Sequence, residues 1–433
     1  MTMRMSKRMI SHCSTNDSCY SASGCGGKPA MNKYRMNKEL SNFAAHLREL
    51  ISNRQSAIGN RQFNKLALEL FALQFENNAA YRKICEARKF TPQTVEHWTQ
   101  IPFVPAGAFK ELELTSLAPE ERTAVFHSSG TTEQKPSRHF HSAESLALYE
   151  ISLWRWFEEN CGLRIANCEL ICLTPPPELA PHSSLVHMFE TIRRKIGEAS
   201  VPASRSPFYG KVENDSAWTL DFDAVLATLT DSKLKTKNSK LILGTAFSFV
   251  HLLDFLAEKN LKIQLPENSR VMETGGYKNR SRSLPKAELH ALIAERLGVS
   301  PENIRCEYGM SELSSQAYDG ARPSPDAAMS NMPASSNFRE SSGASPLLRP
   351  GRARSESSVF RFPPWARVQI ISPETGCEVA DGETGLIRIF DLANVFSVAA
   401  IQTEDLGIRR GDGFELIGRA SFAEPRGCSL MTA

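Results

Sequence analysis

Four short apolar runs constrain the fold most: ELICLT at 169–174, KLILGT at 240–245, RVMETGG at 270–276 and IRCEYG at 304–309. Each has the length of a strand, and each closes in Thr, Gly or Glu. Between them lie segments with helical spacing, such as LPKAELHALIAERLG. Strands alternating with helices predict α/β layering about a largely parallel sheet. Loops leaving the C-terminal ends of such strands are where ligands bind, so the chemistry is expected just beyond these runs.

At 433 residues the chain can form one large domain or two to three ordinary ones. Its 51 basic and 48 acidic residues leave a net charge of +3. That balance creates no field to draw in nucleic acid or a membrane surface, and suits a metabolic enzyme. The longest apolar run, LILGTAFSFVHLLDFL at 241–256, carries His251 and Asp254 and reads as core rather than as a membrane span. The first thirty residues lack the apolar centre of a secretory signal, so a cytoplasmic protein is expected. Ten cysteines are scattered without CxxC spacing, which indicates neither a zinc site nor a disulfide framework.

Residues 1–35 are rich in Ser, Gly, Cys and Met and read as a disordered leader. Phe63, Leu66, Leu70 and Leu73, followed by Tyr81 and Ile84, recur at helical steps and predict an amphipathic lead-in to a large domain spanning 36–400. Within it, 320–358 is dense in Ser, Pro, Ala and Arg and reads as a flexible insertion. The following ARVQIISPETGCEVADGETGLIRIFDL has two β-rich runs joined through PETG and DGETG turns, a hairpin or small β subdomain. Residues 401–433 form a short C-terminal segment.

The stretch HSSGTTEQKP, from His127 to Pro136, is the first candidate site. Ser128, Ser129, Thr131 and Thr132 with Gly130 allow hydroxyl and backbone N–H groups to converge on phosphate oxygens, and Lys135 or Arg138 can neutralise charge. The GxxxxGK[ST] pattern is absent. Taken alone, the stretch is equally a Ser/Thr-rich turn capping a helix at SAESLALYE. Two further segments accompany it: EYGMSE at 307–312 and QTEDLG at 402–407.

In this order and spacing the three segments resemble the phosphate loop, the YGxTE segment and the TGD segment of the adenylate-forming superfamily of acyl-activating ligases. The resemblance implies that Tyr308, followed by Gly309, lies against adenine, that Glu312 holds Mg²⁺, and that Asp405 takes both ribose hydroxyls of ATP. The chemistry agrees, because a carboxylate accepts paired hydrogen bonds from a diol and a hard oxygen suits magnesium. Arg419 in LIGRA matches the arginine that follows the TGD segment, with a surface charge as the alternative. Gly275 and Gly276 end a strand and suit close backbone approach to a nucleotide, though a plain turn would read the same.

More narrowly, METGGYKNRSRSLPKAELHALIAERLG, EYGMSELSSQAYD, PPWARV, DLANVFSVAAIQTEDLG and EPRGCSL resemble the LuxE-type acyl-protein synthetase family, from about Met36 to the end apart from 320–358. Members make an acyl-adenylate from ATP and a carboxylic acid. In the luminescence system the acyl group then passes to a cysteine near the synthetase C-terminus and on to a partner reductase. The resemblance therefore implies a fatty or other carboxylic acid substrate, an acyl-reductase or carrier-protein partner, and Cys428 as acyl acceptor, with Arg426 able to lower its pKa. Cys306 reads as a buried strand residue. His187 and Gly244–Phe247 read as core first and acyl-pocket lining second.

Two departures stand out. Glu133 follows Thr132, and Lys135 precedes the proline rather than following it. Only 28 residues follow Asp405, too few for the lid domain that brings a catalytic lysine in the superfamily, so a reduced lid is expected. An acyl-CoA or aryl-CoA ligase is the alternative that this shortness opposes. A non-catalytic nucleotide-binding relative is the other.

Overall fold

A computed structural model describes residues 29–53, 58–128, 135–161, 168–199, 207–212, 218–230, 239–275, 282, 284–321 and 358–420. The lead-in is helical: α1 (Pro29–Ser52), α2 (Asn60–Asn77) and α3 (Ala79–Ala87). Phe63, Leu66 and Leu70 form the buried stripe of α2, as their spacing predicts. Next come β1 (Val104–Pro105), α4 (Ala108–Glu111), β2 (Ala124–His127), β3 (Arg138–His141), α5 (Ala143–Cys161), β4 (Glu169–Leu173) and α6 (Ser184–Ala199). Beyond these are β5 (Gly210–Val212), β6 (Trp218–Leu220), α7 (Phe222–Thr230), β7 (Lys240–Thr245), α8 (Ala246–Glu258), β8 (Arg270–Thr274), α9 (Lys286–Leu297) and β9 (Ile304–Tyr308). The chain continues through β10 (Ala317–Asp319), β11 (Phe360–Arg361), β12 (Ala366–Ile371), β13 (Thr384–Asp391), β14 (Ala400–Arg410) and β15 (Gly413–Arg419).

The four apolar runs are β4, β7, β8 and β9, and they pair side by side and parallel in the order β4-β7-β8-β9. Helices cover both faces, which is why the runs are continuous rather than alternating. Leu170, Cys172, Leu241, Leu243 and Met272 face the core built with α5 and α6. Their neighbours Ile171, Leu173, Ile242 and Val271 face the core built with α7, α8 and α9. Each fully buried Leu or Ile in these layers contributes about 1.5–3 kcal/mol.

The sheet continues past β9 in antiparallel sense through β10, β11, β15, β14, β13 and β12, with β1 alongside β14 in parallel. The β-rich stretch at 366–391 is thus β12 and β13, in register from Ala366↔Asp391 to Ile371↔Leu386, and it forms the far edge of this one sheet. The insertion leaves and returns between adjacent strands, with Tyr318 opposite Arg361 and Asp319 opposite Phe360. Its residues 322–357 lie outside the described part, as does most of the expected leader. Among the described residues, no helix is long and apolar enough to cross a membrane.

Candidate nucleotide site

The loop HSSGTTEQKP is carried on the β2–β3 hairpin, whose last register pair is His127↔Arg138. Ser129, Gly130, Thr131 and Thr132, with Glu133, lie outside the described residues. The stem is closed by Ser137, whose backbone N–H donates to Ser128 Oγ at 2.9 Å. A strand separates the loop from α5, and Ser142 stands at the head of that helix, its Oγ accepting from the Ser145 N–H at 3.2 Å. The helix-capping alternative for HSSGTTEQKP is thereby set aside. The two cations of the stretch are turned to acids before α5: Lys135 Nζ lies 3.1 Å from Glu111 Oε2, and Arg138 Nη1 lies 3.4 Å from Glu113 Oε1. The Lys135–Glu111 pair is solvent-exposed, which makes it weak and easily exchanged for another anion.

Beneath the loop the hairpin meets the EYGMSE segment. His139, buried in β3, donates from Nδ1 to the Ser311 carbonyl oxygen at 2.9 Å. Burial holds its pKa below the usual value, with the Ser311 and Glu312 interactions opposing, which favours the neutral ring that this single donor needs. Ser137 Oγ and Ser311 Oγ are 3.4 Å apart, and Ser311 Oγ donates to Glu312 Oε2 at 3.0 Å. Glu312 is fully buried, and its backbone carbonyl accepts from Asn394 Nδ2 at 2.8 Å.

On the other side of β9, Tyr308 O–H donates to Asp405 Oδ2 at 2.8 Å. Asp405 faces Arg419 across the β14–β15 ladder, and Arg419 Nε reaches Asp405 Oδ1 at 3.3 Å while Nη2 reaches Glu404 Oε2 at 2.9 Å. Phe414 meets the Tyr308 ring at 5.3 Å in edge geometry, which leaves the ring one fixed orientation. Gly309 follows because a Cβ there would come within 2.3 Å of Glu307 Oε1. Glu307 is itself buried and accepts from the Thr274 hydroxyl at the end of β8. Burial pushes its pKa up to about 7, the Thr274 bond opposing and the neighbouring Glu273 adding. Gly275, next in chain, has φ +75°, a conformation that favours glycine; Gly276 lies outside the described residues.

Of the residues singled out in the sequence, Ser128, Glu312, Tyr308, Gly309, Asp405 and Arg419 are thus linked through the hairpin, β9 and β14–β15. Lys135 and Arg138 border the hairpin on its acid-paired side, and Cys428 lies outside the described residues. Cys306 is buried in β9 as expected, and burial pushes its thiol up strongly. His187 is bonded to Glu150 at 3.2 Å, and Thr245 caps α8 by accepting from the Ser248 N–H at 3.0 Å, so both serve local structure. Sequence reasoning missed Ser137, His139, Asp391 and Asn394. The one available signal was the set of three polar residues, Asp391, Asn394 and Ser397, in the otherwise apolar run DLANVFSVAA.

The donors brought together are those a nucleotide needs, an acceptor for a diol and an aromatic face. A carboxylate has room for about four hydrogen bonds, so Asp405 keeps capacity for a diol beyond Tyr308 and Arg419. Among the described residues no cluster of three or more His, Cys, Asp or Glu could hold a metal, so a divalent ion would have Glu312 as its hard oxygen ligand from this chain and would take the rest of its shell from phosphate oxygens and water.

The model of the family described as acyl-protein synthetase, LuxE, matches residues 43–320. The long-chain-fatty-acid–luciferin-component ligase of Aliivibrio fischeri is 24% identical over 392 residues, 86% of this chain and 87% of that protein. Its counterpart from Vibrio harveyi is 24% identical over 383 residues, 85% of this chain and 86% of that protein. Among solved structures, an open conformation of 2-hydroxyisobutyryl-CoA ligase in complex with 2-HIB-AMP and CoA superposes with a TM-score of 0.55 at 12% identity, covering 84% of this chain and 70% of that one, a likeness of fold. This chain belongs to the LuxE acyl-protein synthetase family of acyl-activating ligases.

Proposed function

We propose that this protein condenses a carboxylic acid, a fatty acid in the first instance, with ATP and passes the acyl group to a protein cysteine. The observation that carries the reading is the joined set Tyr308, Asp405 and Arg419 on one side of β9 and Glu312 on the other. A carboxylate oxygen of the acid attacks the α-phosphorus of ATP, the bond to the β-phosphate oxygen breaks, and pyrophosphate leaves. A thiolate then attacks the acyl carbon of the mixed anhydride and AMP departs with the bridging oxygen.

In this reading Asp405 receives the ribose hydroxyls, the Tyr308 ring flanks adenine, and Arg419 holds the Asp405 carboxylate and neutralises charge nearby. Ser128, Ser129, Gly130, Thr131 and Thr132 grip the outer phosphates, and Lys135 and Arg138 exchange Glu111 and Glu113 for them. Gly275 and Gly276 let the backbone approach the base. Magnesium, when bound, supplies charge neutralisation for the departing pyrophosphate, and Glu312 is the residue that would hold it. Catalysis is then mostly positioning and charge placement. Cys428 serves as acyl acceptor, a cytoplasmic acyl-reductase or carrier protein as the next partner; the names of the two ligases support the fatty acid and the family description supports the protein acceptor.

Incubation with ATP, Mg²⁺ and a panel of labelled carboxylic acids tests the reading, following pyrophosphate exchange and label retained on the chain. Exchange and retained label are expected with a fatty acid. No exchange with any acid overturns the function, and label surviving in Cys428→Ala removes the cysteine step while leaving activation intact. Acyl-CoA formed on adding CoA would support the CoA-ligase alternative.

A further inference from the structure

The connection between β13 and β14 is unusual for a loop. Every residue from 391 to 400 is buried. Loops ordinarily run over the surface because a buried backbone must find partners for each N–H and C=O. Here several of the partners come from far away in the chain. Gln74 of α2 donates from Nε2 to the carbonyls of Asn394 (2.7 Å) and Val395 (3.1 Å) and accepts from the Ala399 N–H at 3.0 Å. Ser397 Oγ donates to the Leu114 carbonyl at 2.8 Å, and the Ser116 N–H donates to the Phe396 carbonyl at 2.9 Å.

With its backbone met in this way, the connection directs Asp391 and Asn394 at the segment that carries Glu312. Asp391 Oδ2 accepts from the Ser314 N–H at 2.9 Å, and its Oδ1 accepts from Ser315 Oγ at 2.8 Å and from the Ala393 N–H at 3.0 Å. Asn394 donates from Nδ2 to the Glu312 carbonyl at 2.8 Å and accepts from Ser314 Oγ at 2.5 Å. From the opposite side, His139 holds the Ser311 carbonyl. Residues 311–315 are therefore fixed between the hairpin and the β13–β14 connection, Asn394 holding the Glu312 backbone.

We infer that Asp391 and Asn394 are positioning residues for the Glu312 carboxylate, holding its backbone so that it meets a divalent ion without rearrangement. The inference rests on the proposed ATP-dependent activity and adds its means of preorganisation. Magnesium demands near-ideal octahedral geometry, so a ligand displaced by a fraction of an ångström binds it less well. Groups that orient a ligand from behind typically change metal affinity by about 10- to 100-fold when removed.

The test is the free Mg²⁺ concentration giving half-maximal binding of ATP in equilibrium dialysis without acid, read beside the concentration giving half-maximal acid-dependent pyrophosphate exchange, each measured with the full chain and with Asn394→Ala. The expected result is a rise of about tenfold or more in both concentrations, with exchange approaching the parental rate at high Mg²⁺. Mn²⁺, the softer and more tolerant ion, should narrow the difference. Lower exchange at every Mg²⁺ concentration with unchanged midpoints would show a purely structural role and overturn the inference. Should Asn394→Ala fail to fold, Ser314→Ala removes only the hydroxyl on Asn394 and decides by the same midpoints, with a rise in both expected and no rise contradicting. No exchange from the parent protein with any acid would instead strike the proposed function, so the two failures are distinguishable.

Discussion

The two sides of the Glu312 segment are built in opposite ways. Toward the β13–β14 connection the polar groups that hold the segment are buried and fixed by specific partners, as with Asp391 and its three donors. Toward the hairpin's outer rim, Lys135 and Arg138 rest on Glu111 and Glu113 in exposed or half-exposed pairs. A buried network costs much to break because each orphaned group loses its partner without regaining water. An exposed ion pair is worth little and can trade partners. The region thus joins a rigid, buried segment around Glu312 to a rim of exchangeable ion pairs, which in the proposed activity would turn to an incoming phosphate.

The largest effect should come from the rigid side. Asp391→Ala leaves the Ser314 and Ala393 N–H groups and the Ser315 hydroxyl buried without an acceptor, and should destabilise the protein by about 3–5 kcal/mol, read by chemical denaturation. A loss near that of an exposed substitution would erase the contrast between the two sides.

Next, Glu307 gives the buried side a pH signature. Its carboxyl is raised to about 7 by burial, so it takes up a proton more readily folded than unfolded. Its contribution to stability is fully present below the unfolded value near 4.5 and is lost as pH rises through about 7. Glu307→Gln should remove that loss, leaving the variant more stable than the parent at pH 8 by at most about 3 kcal/mol, with the gain vanishing near pH 4. Thermal melts across pH measure it, and equal slopes for both proteins would contradict the assignment.

The Asp405 exchange lies at the join of the two sides. Asp405→Asn keeps an oxygen for Tyr308 but removes the charge facing Arg419. The KM for ATP should rise by about 10- to 100-fold, on the order of 1.4–2.7 kcal/mol, with a smaller change in kcat. The smallest stability effect belongs to the rim. Lys135→Ala should move stability by less than about 0.5 kcal/mol while raising the KM for ATP several-fold, and Glu111→Ala, which frees the lysine, should leave that KM unchanged or lower it.

The contrast also marks what could be read in the sequence. β4, β7, β8 and β9 were legible because strands buried on both faces are continuous apolar runs. That Tyr308, Asp405 and Arg419 come together was foreshadowed by the short local segments that carry them, and their bonds to one another join those segments in the fold. The two-residue strands β1 and β11 carry no periodicity, so the continuation of the sheet into its antiparallel half was not. Nor was the clamp: Gln74 and Asn394 are 320 residues apart, and only the folded chain shows that one satisfies the other. His139 reads as an ordinary strand residue until its partner, the Ser311 carbonyl, is known.

The most direct measurement of the central claim follows oxygen. Fatty acid carrying ¹⁸O in both carboxyl oxygens is turned over with ATP and Mg²⁺, and the AMP and pyrophosphate are weighed by mass spectrometry. The account predicts one ¹⁸O in AMP and none in pyrophosphate, because the attacking carboxylate oxygen stays with the α-phosphorus when the acyl group moves on. ADP in place of AMP, or AMP without label, would contradict it.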